Sequence, residues 1–171
     1  MTVTNSTTFD LNYGSASLEG HMASDVTCLD TSGETCAESF EFYVITKSEG
    51  LDGMDGILGL SPINEAQNGP SYLSALYTQG VIEEETATFW LNWYDEAESY
   101  VTFGGMPESA SIGATYKQDL DTKNDQWWTV TLGAVEYDGQ SIKDSGIDYA
   151  ILDTGTSFIT MGQADYYNLI S

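Results

Sequence analysis

Basic residues are almost missing from this chain. Only 4 Lys+Arg stand against 27 Asp+Glu in 171 residues, a formal charge of −23. Nucleic acids and anionic membranes are gripped by Lys and Arg, so neither is expected as a partner. Long apolar runs are missing too, and without 18 consecutive apolar residues no membrane-spanning helix is expected. Met1 is followed by Thr-Val-Thr-Asn-Ser-Thr-Thr, which has neither the basic start nor the apolar core of a secretory signal. There are two cysteines and one histidine. Cys28 and Cys36 flank the polar insert LDTSGET with only His21 nearby, a poor donor set for a metal, so no metal and no cofactor are expected. The insert reads as a hairpin-like loop that a Cys28–Cys36 bridge would close, which favours an oxidising compartment. Two free buried thiols are the alternative. With three prolines, nothing reads as a linker, repeat array or low-complexity tract.

What is present is globular in character. Hydrophobic residues make up 41% and aromatics 12%, enough to bury a core in one domain or two small ones. The acidic excess repels itself at neutral pH and is largely neutralised in acid. It reads either as adaptation to an acidic compartment or as a solvated surface of no functional meaning. Asn5-Ser6-Thr7 is a glycosylation sequon, a pattern that also arises by chance.

The local patterns are mostly those of strands. TTFDLNYGSASLEGHMASDVTCL alternates around Gly14 and Gly20 like a long hairpin, and SFEFYVITKSE continues the alternation. DGILGLSP suits a short buried strand ending in a turn. GPSYLSALYTQGVI is the clearest helix, with Leu73, Leu76 and Tyr77 on one face and Gly80 as its stop. ATFWLNWY and SYVTFGG flank a charged turn, and WWTVTLGAVEYDGQSI holds a strand and a hairpin turning at Asp138-Gly139. Of the adjacent pair Trp127-Trp128, one ring is expected in the core and one at the surface. YAILD reads as a buried strand and QADYYNLI as a second short helix. An all-β class with a few short helices follows.

The chemistry concentrates at the end of YAILD. A carboxylate at the mouth of an apolar strand costs desolvation energy unless donors meet it. Asp153 is followed by Thr154, Gly155, Thr156 and Ser157, which offer hydroxyls, a tight backbone turn and N–H groups. The cluster is therefore a holder for one oriented carboxylate. An ordinary Asx turn after a strand is the plainer alternative.

AILDTGTSFIT resembles the second active-site motif of the pepsin-like aspartic protease family, of the cathepsin D, pepsin and vacuolar proteinase type. NYGSASLEGHMASDVTCL resembles the family's flap hairpin, and MDGILGLSP the segment behind the first catalytic loop. YLSALYTQGVIEEETATFWL resembles the helix and strand leading between the lobes, and VTFGGMPES and WWTVTLGAVEYDGQSI the opening of the C-terminal lobe. The resemblance implies a pepsin-like acid protease fold. Residues 1–85 would be the later half of the N-terminal lobe with the flap, and residues 86–171 the inter-lobe strands and first part of the C-terminal lobe.

It also implies roles. Asp153 would be one of two catalytic carboxylates, hydrogen-bonded by Thr156, and Thr154 would tie the two active-site loops together. Gly155 and Ser157 would contact substrate backbone. Tyr13 would be the flap tyrosine and Gly14 and Ser15 the flap tip. Ile57, Leu58 and Gly59 would pack beside the first catalytic loop. The implied substrate is an extended peptide or protein, cleaved at acidic pH in a secreted, lysosomal or vacuolar setting. The mechanism needs two carboxylates sharing a proton, and this chain has one D-T-G. Asp52, Asp55 and Asp148 lie outside such a motif. The partner is expected in the missing remainder of a two-lobed chain about twice as long, with this chain alone inactive. Two other readings stand beside this one. The first is an inactive relic that binds peptide or serves structurally. The second is a homodimer pairing two Asp153 residues, as in retroviral proteases. There the flap closely follows the motif, whereas here Tyr13 precedes Asp153 by 140 residues (153 − 13).

Overall fold

The computed structural model describes residues 1–13, 16–51, 53–62, 69–94, 98–107, 126–143 and 145–171. The chain divides into two compact units, residues 1–114 and 115–171.

The first unit is built on a three-stranded antiparallel meander, β1 (Thr2–Tyr13), β2 (Ala16–Cys28) and β3 (Cys36–Glu49). Period-two alternation sends Ala16, Leu18 and Gly20 inward from β2, and Ala23, three residues further on, is buried out of that phase. Tyr13 pairs with Ala16 at the β1–β2 turn, and Cys28 pairs with Cys36 where β2 passes into β3. Those two cysteines are disulfide-bonded. Gly20 lies at a register shift on β2, and a Cβ there would come within 2.2 Å of the Val44 carbonyl oxygen. β3 carries its own extra residue opposite Asp25 and Thr27, where Ser39 takes a left-handed φ of 54°.

Helix α1 (Tyr72–Thr78) packs on β3. Ser71 caps its N-terminus by accepting from the Ser74 N–H. The buried stripe is Tyr72, Leu73 and Leu76, while Tyr77 is exposed. The expected face is thus shifted: the Tyr72 hydroxyl donates to the Thr27 carbonyl at 2.8 Å and draws that ring inward. Gln79, just past the helix, grips the irregular part of β3. Its amide accepts from the Glu38 N–H at 2.7 Å and donates to the Glu38 carbonyl at 3.1 Å. Ala37, Tyr72, Leu73, Leu76 and Ile82 form the buried cluster. β4 (Ala87–Trp90) and β5 (Tyr100–Phe103) pair as an antiparallel hairpin whose Trp90 and Tyr100 rings stack.

The DGILGLSP segment does not form the buried strand its composition suggests. Residues 56–60 are irregular, and Ile57 and Leu58 are 51% and 48% exposed. No strand among the described residues pairs with it, and an apolar run without a ladder partner has nothing to hold it extended.

In the second unit, β6 (Thr129–Thr131) pairs antiparallel with β9 (Tyr149–Ile151), and β7 (Glu136–Tyr137) pairs with β8 (Gln140–Ser141). Asp138 and Gly139 turn the small hairpin with φ of 50° and 75°, the positive pair that suits two-residue connections. Helix α2 (Gln163–Ile170) follows. The regular elements of the described chain are strands and two short helices, as the all-β reading expects. Trp127 and Trp128 are both substantially exposed, because they precede β6 and so escape its inward–outward alternation.

Candidate functional site

β6 and β9 set the position of Asp153. Thr129, Val130 and Thr131 face Ile151, Ala150 and Tyr149 in register, and the Leu152 N–H extends the ladder to the Trp128 carbonyl at 2.8 Å. The chain then leaves the sheet, and Asp153 stands on the first residue beyond it. Each carboxylate oxygen takes one local donor. The Gly155 N–H donates to Oδ1 at 2.8 Å and the Thr156 hydroxyl to Oδ2 at 2.5 Å. A Cβ on residue 155 would sit 3.2 Å from Asp153 Oδ1, so glycine lets the turn close this tightly. The Thr156 hydroxyl, then the Gly155 N–H, hold the Asp153 carboxyl below its ordinary value, against a smaller opposing effect of burial. Hydrogen bonds to the charged form favour ionisation.

The approach to this turn is tied from below. The Leu132 N–H donates to the Asp148 carbonyl at 2.7 Å, just before β9 begins. Lys143 donates to the Leu132 and Gly133 carbonyls, each at 3.1 Å, and pairs with the Asp148 carboxylate at 3.2 Å. Buried Asp165 on α2 accepts from the Ser145 N–H at 2.7 Å and the Ser145 hydroxyl at 2.5 Å. Sequence reasoning missed both anchors. A lysine in a chain with so few cations was the available signal for the first. The second has no local signature.

Of the residues singled out, Asp153, Gly155 and Thr156 come together in one hydrogen-bonded turn. Thr154 and Ser157 lie in the same turn and are exposed. Tyr13 ends β1, with its side chain outside the described structure, and Gly14 and Ser15 lie outside the described residues. The strand leading to Asp153 is less buried than its sequence suggests. Ile151 and Leu152 are exposed, and Phe158 and Ile159 beyond the turn are 83% and 89% exposed. Among the described residues β9 has β6 as its single partner strand, so its other edge meets no described strand and its apolar side chains have little described structure to pack against.

A strand that delivers an Asp into a D-T-G-T-S turn, on a largely antiparallel chain, is the arrangement the sequence resemblance leads one to expect. The family comparison agrees: the chain belongs to the eukaryotic aspartyl protease family, whose model matches residues 1–171. It is similar to pepsin A of Suncus murinus, 28% identical over 161 residues, covering 91% of this chain and 40% of that protein. It is also similar to vacuolar protease A of Neurospora crassa, 33% identical over 166 residues, covering 92% and 39%. Among solved structures, the aspartic proteinase from Irpex lacteus superposes with a TM-score of 0.78 at 22% identity, covering 98% of this chain and 52% of that one. The fold is therefore pepsin-like. The chain spans about 40% of the length of the curated relatives it matches.

Proposed function

We propose that the protein carrying this chain is an aspartic endopeptidase in which Asp153 is one of two catalytic carboxylates. The observation that carries this reading is the turn at Asp153. Donors to both oxygens fix the carboxylate's direction and favour its charged form. Family membership supports the same assignment.

In the proposed reaction, a water held between Asp153 and a second Asp adds its oxygen to the scissile carbonyl carbon. One carboxylate takes a proton from that water, and the other, protonated, gives its proton to the carbonyl oxygen. The gem-diol then collapses: the C–N bond breaks, the amine leaves with a proton, and the new carboxyl remains. The two carboxyls share one proton because like charges so close cannot both ionise, and they titrate as a pair. Activity is accordingly confined to acidic pH. Tyr13, Gly14 and Ser15 are proposed as the flap over an extended peptide, and Thr154, Gly155 and Ser157 as backbone contacts. Residues 1–85 are proposed as N-terminal-lobe sequence and 86–171 as inter-lobe and C-terminal-lobe sequence. An acidic, oxidising compartment, secretory or vacuolar, fits the Cys28–Cys36 bridge.

Asp153→Asn in the full-length protein should abolish cleavage of a peptide substrate in acid while leaving thermal unfolding unchanged. Asn preserves shape and can still accept from Thr156, but it can neither share a proton nor act as a base. Retained, statine-sensitive turnover by that variant would falsify the assignment.

A second reading, a non-catalytic peptide-binding relic, is favoured by one observation. Among the described residues, none of the groups that shift the Asp153 carboxyl is a second carboxylate. A second D-[ST]-G after an apolar pair in the complete coding sequence separates the two: its presence supports the enzyme and its absence the relic.

A further inference from the structure

Asp153 reaches its place through a short ladder. β6 and β9 share three residue pairs, with one further backbone bond beyond each end. Of the paired residues only Thr129 is buried, while Tyr149 and Ile151 are exposed. Register is firmly set where one face of a strand is buried, and weakly where it is not. A slip of one residue would carry Asp153 about 3.3 Å along the strand direction and turn it to the opposite face. Something besides burial has to hold β9 in step with β6.

Lys143, one of the 4 Lys+Arg in the chain, stands where this can be done. Its backbone is held just upstream. The Ile142 N–H donates to the Val135 carbonyl at 2.9 Å, and Asn168 Nδ2 donates to the Ile142 carbonyl at 3.2 Å. The Lys143 side chain is only 19% exposed, and its Nζ meets three acceptors. Two are the Leu132 and Gly133 carbonyls, each at 3.1 Å, on the chain leaving β6. The third is the Asp148 carboxylate at 3.2 Å, on the residue entering β9. An ammonium has three protons, one for each. Beside them the Leu132 N–H donates to the Asp148 carbonyl at 2.7 Å. We propose that Lys143 is a positioning residue for Asp153: its ammonium clamps the exit of β6 to the entry of β9 and fixes the register in which the carboxylate is delivered. The two carbonyl bonds carry most of the effect, because the Asp148 carboxylate is well exposed and an exposed ion pair contributes little. The role in turnover rests on the catalytic reading of Asp153; the clamp itself does not.

The test uses the full-length protein. Lys143→Met keeps the reach of the side chain and removes every donor. Its kcat on a peptide substrate in acid should fall about 100-fold, the scale of an ångström-sized misplacement. KM should stay where it is, since the loss falls on the transition state. Asp148→Asn leaves both carbonyl bonds and should lower kcat far less. Ser71→Ala, which removes the cap of α1 in the first unit, is the comparator: it should lower the melting temperature and leave kcat alone. A merely structural role for Lys143 predicts that same pattern. If Lys143→Met yields no folded protein, Lys143→Arg carries the test. It keeps the charge, but its planar fork cannot aim three protons from one nitrogen, so kcat should fall with KM unchanged. Hydrogen exchange read by mass spectrometry needs no substrate. Peptides covering 128–132 and 149–153 should exchange faster in the Lys143 variant than in the parent, and at the parental rate in Ser71→Ala. Parental kcat in the folded Lys143 variant, a loss confined to KM, or unchanged exchange in those two peptides would each overturn the proposal. Turnover retained by Asp153→Asn would overturn the role in catalysis, while faster exchange would still support the clamp, so the two readings fail separately.

Discussion

At the scale of single residues, Asp153 depends on its neighbours for its acidity. The Thr156 hydroxyl is the largest cause of its lowered pKa, with the Gly155 N–H second. Removing the hydroxyl in Thr156→Val should therefore raise the carboxyl towards its ordinary value of 3.8, and Thr156→Ser should leave it low. The sign for stability follows. A carboxyl depressed in the folded state contributes stability above its unfolded pKa, and that contribution is lost as pH falls through the folded value. Thr156→Val should thus weaken the turn above about pH 3.8 and make little difference in stronger acid. Carbon NMR titration of the Asp153 carboxyl measures the shift directly; an unchanged midpoint in Thr156→Val would mean that Gly155 alone sets the acidity. In a working dyad the same substitution should move the acid limb of the pH–rate profile upward.

At the scale of elements, the three-stranded sheet rests on two irregularities with opposite requirements. Gly20 is needed because the Val44 carbonyl oxygen occupies the space a Cβ would take. Gly20→Ala should force β2 and β3 apart and cost about 1–3 kcal/mol, the usual range for overpacking. Ser39 is the converse case. It holds a left-handed φ of 54° that costs a non-glycine residue roughly 1 kcal/mol, so Ser39→Gly should gain about that much. Denaturant melts of the two variants should move in opposite directions from the parent; a parallel shift would contradict the local geometry. This contrast also shows what the sequence made legible. The β1–β2 hairpin, both helices and the Asp138-Gly139 turn were readable, because alternation, helical spacing and turn chemistry are local signals. Asp153 with Gly155 and Thr156 was readable for the same reason, since all its donors lie within three residues. The Gln79 grip on Glu38 spans 41 residues, and the Ser145–Asp165 anchor spans 20. Neither leaves a trace in local composition. The exposure of Ile57, Leu58 and Leu152 was misjudged because apolar composition reports a need for burial and says nothing of which partner meets it.

At the scale of the whole chain, that unmet need leads to the last prediction. Phe158 and Ile159 follow the Asp153 turn almost fully exposed, and Leu91, Trp93 and Tyr94 are exposed beyond β4. In the first unit an apolar groove of about 530 Å3 is lined by Leu29, Thr35, Leu58, Val101, Thr102 and Phe103. Large exposed apolar patches on soluble proteins mark surfaces that meet something else. The relatives supply a candidate, since this chain spans only about 40% of their length. The charge of −23 adds self-repulsion that a small core must overcome at neutral pH. The polypeptide of residues 1–171 produced alone should therefore bind an apolar fluorescent dye strongly and unfold over a broad range without one sharp transition. Raising ionic strength should tighten its compact state, because the Debye length falls from about 10 Å at 0.1 M to about 3 Å at 1 M salt. The full-length protein should bind little dye and melt sharply. If the isolated polypeptide is monomeric, excludes dye and melts in a single steep transition, then its apolar faces are not waiting for the rest of a two-lobed protein. The missing-partner account of Asp153 would then lose its structural support, whatever the activity assays show.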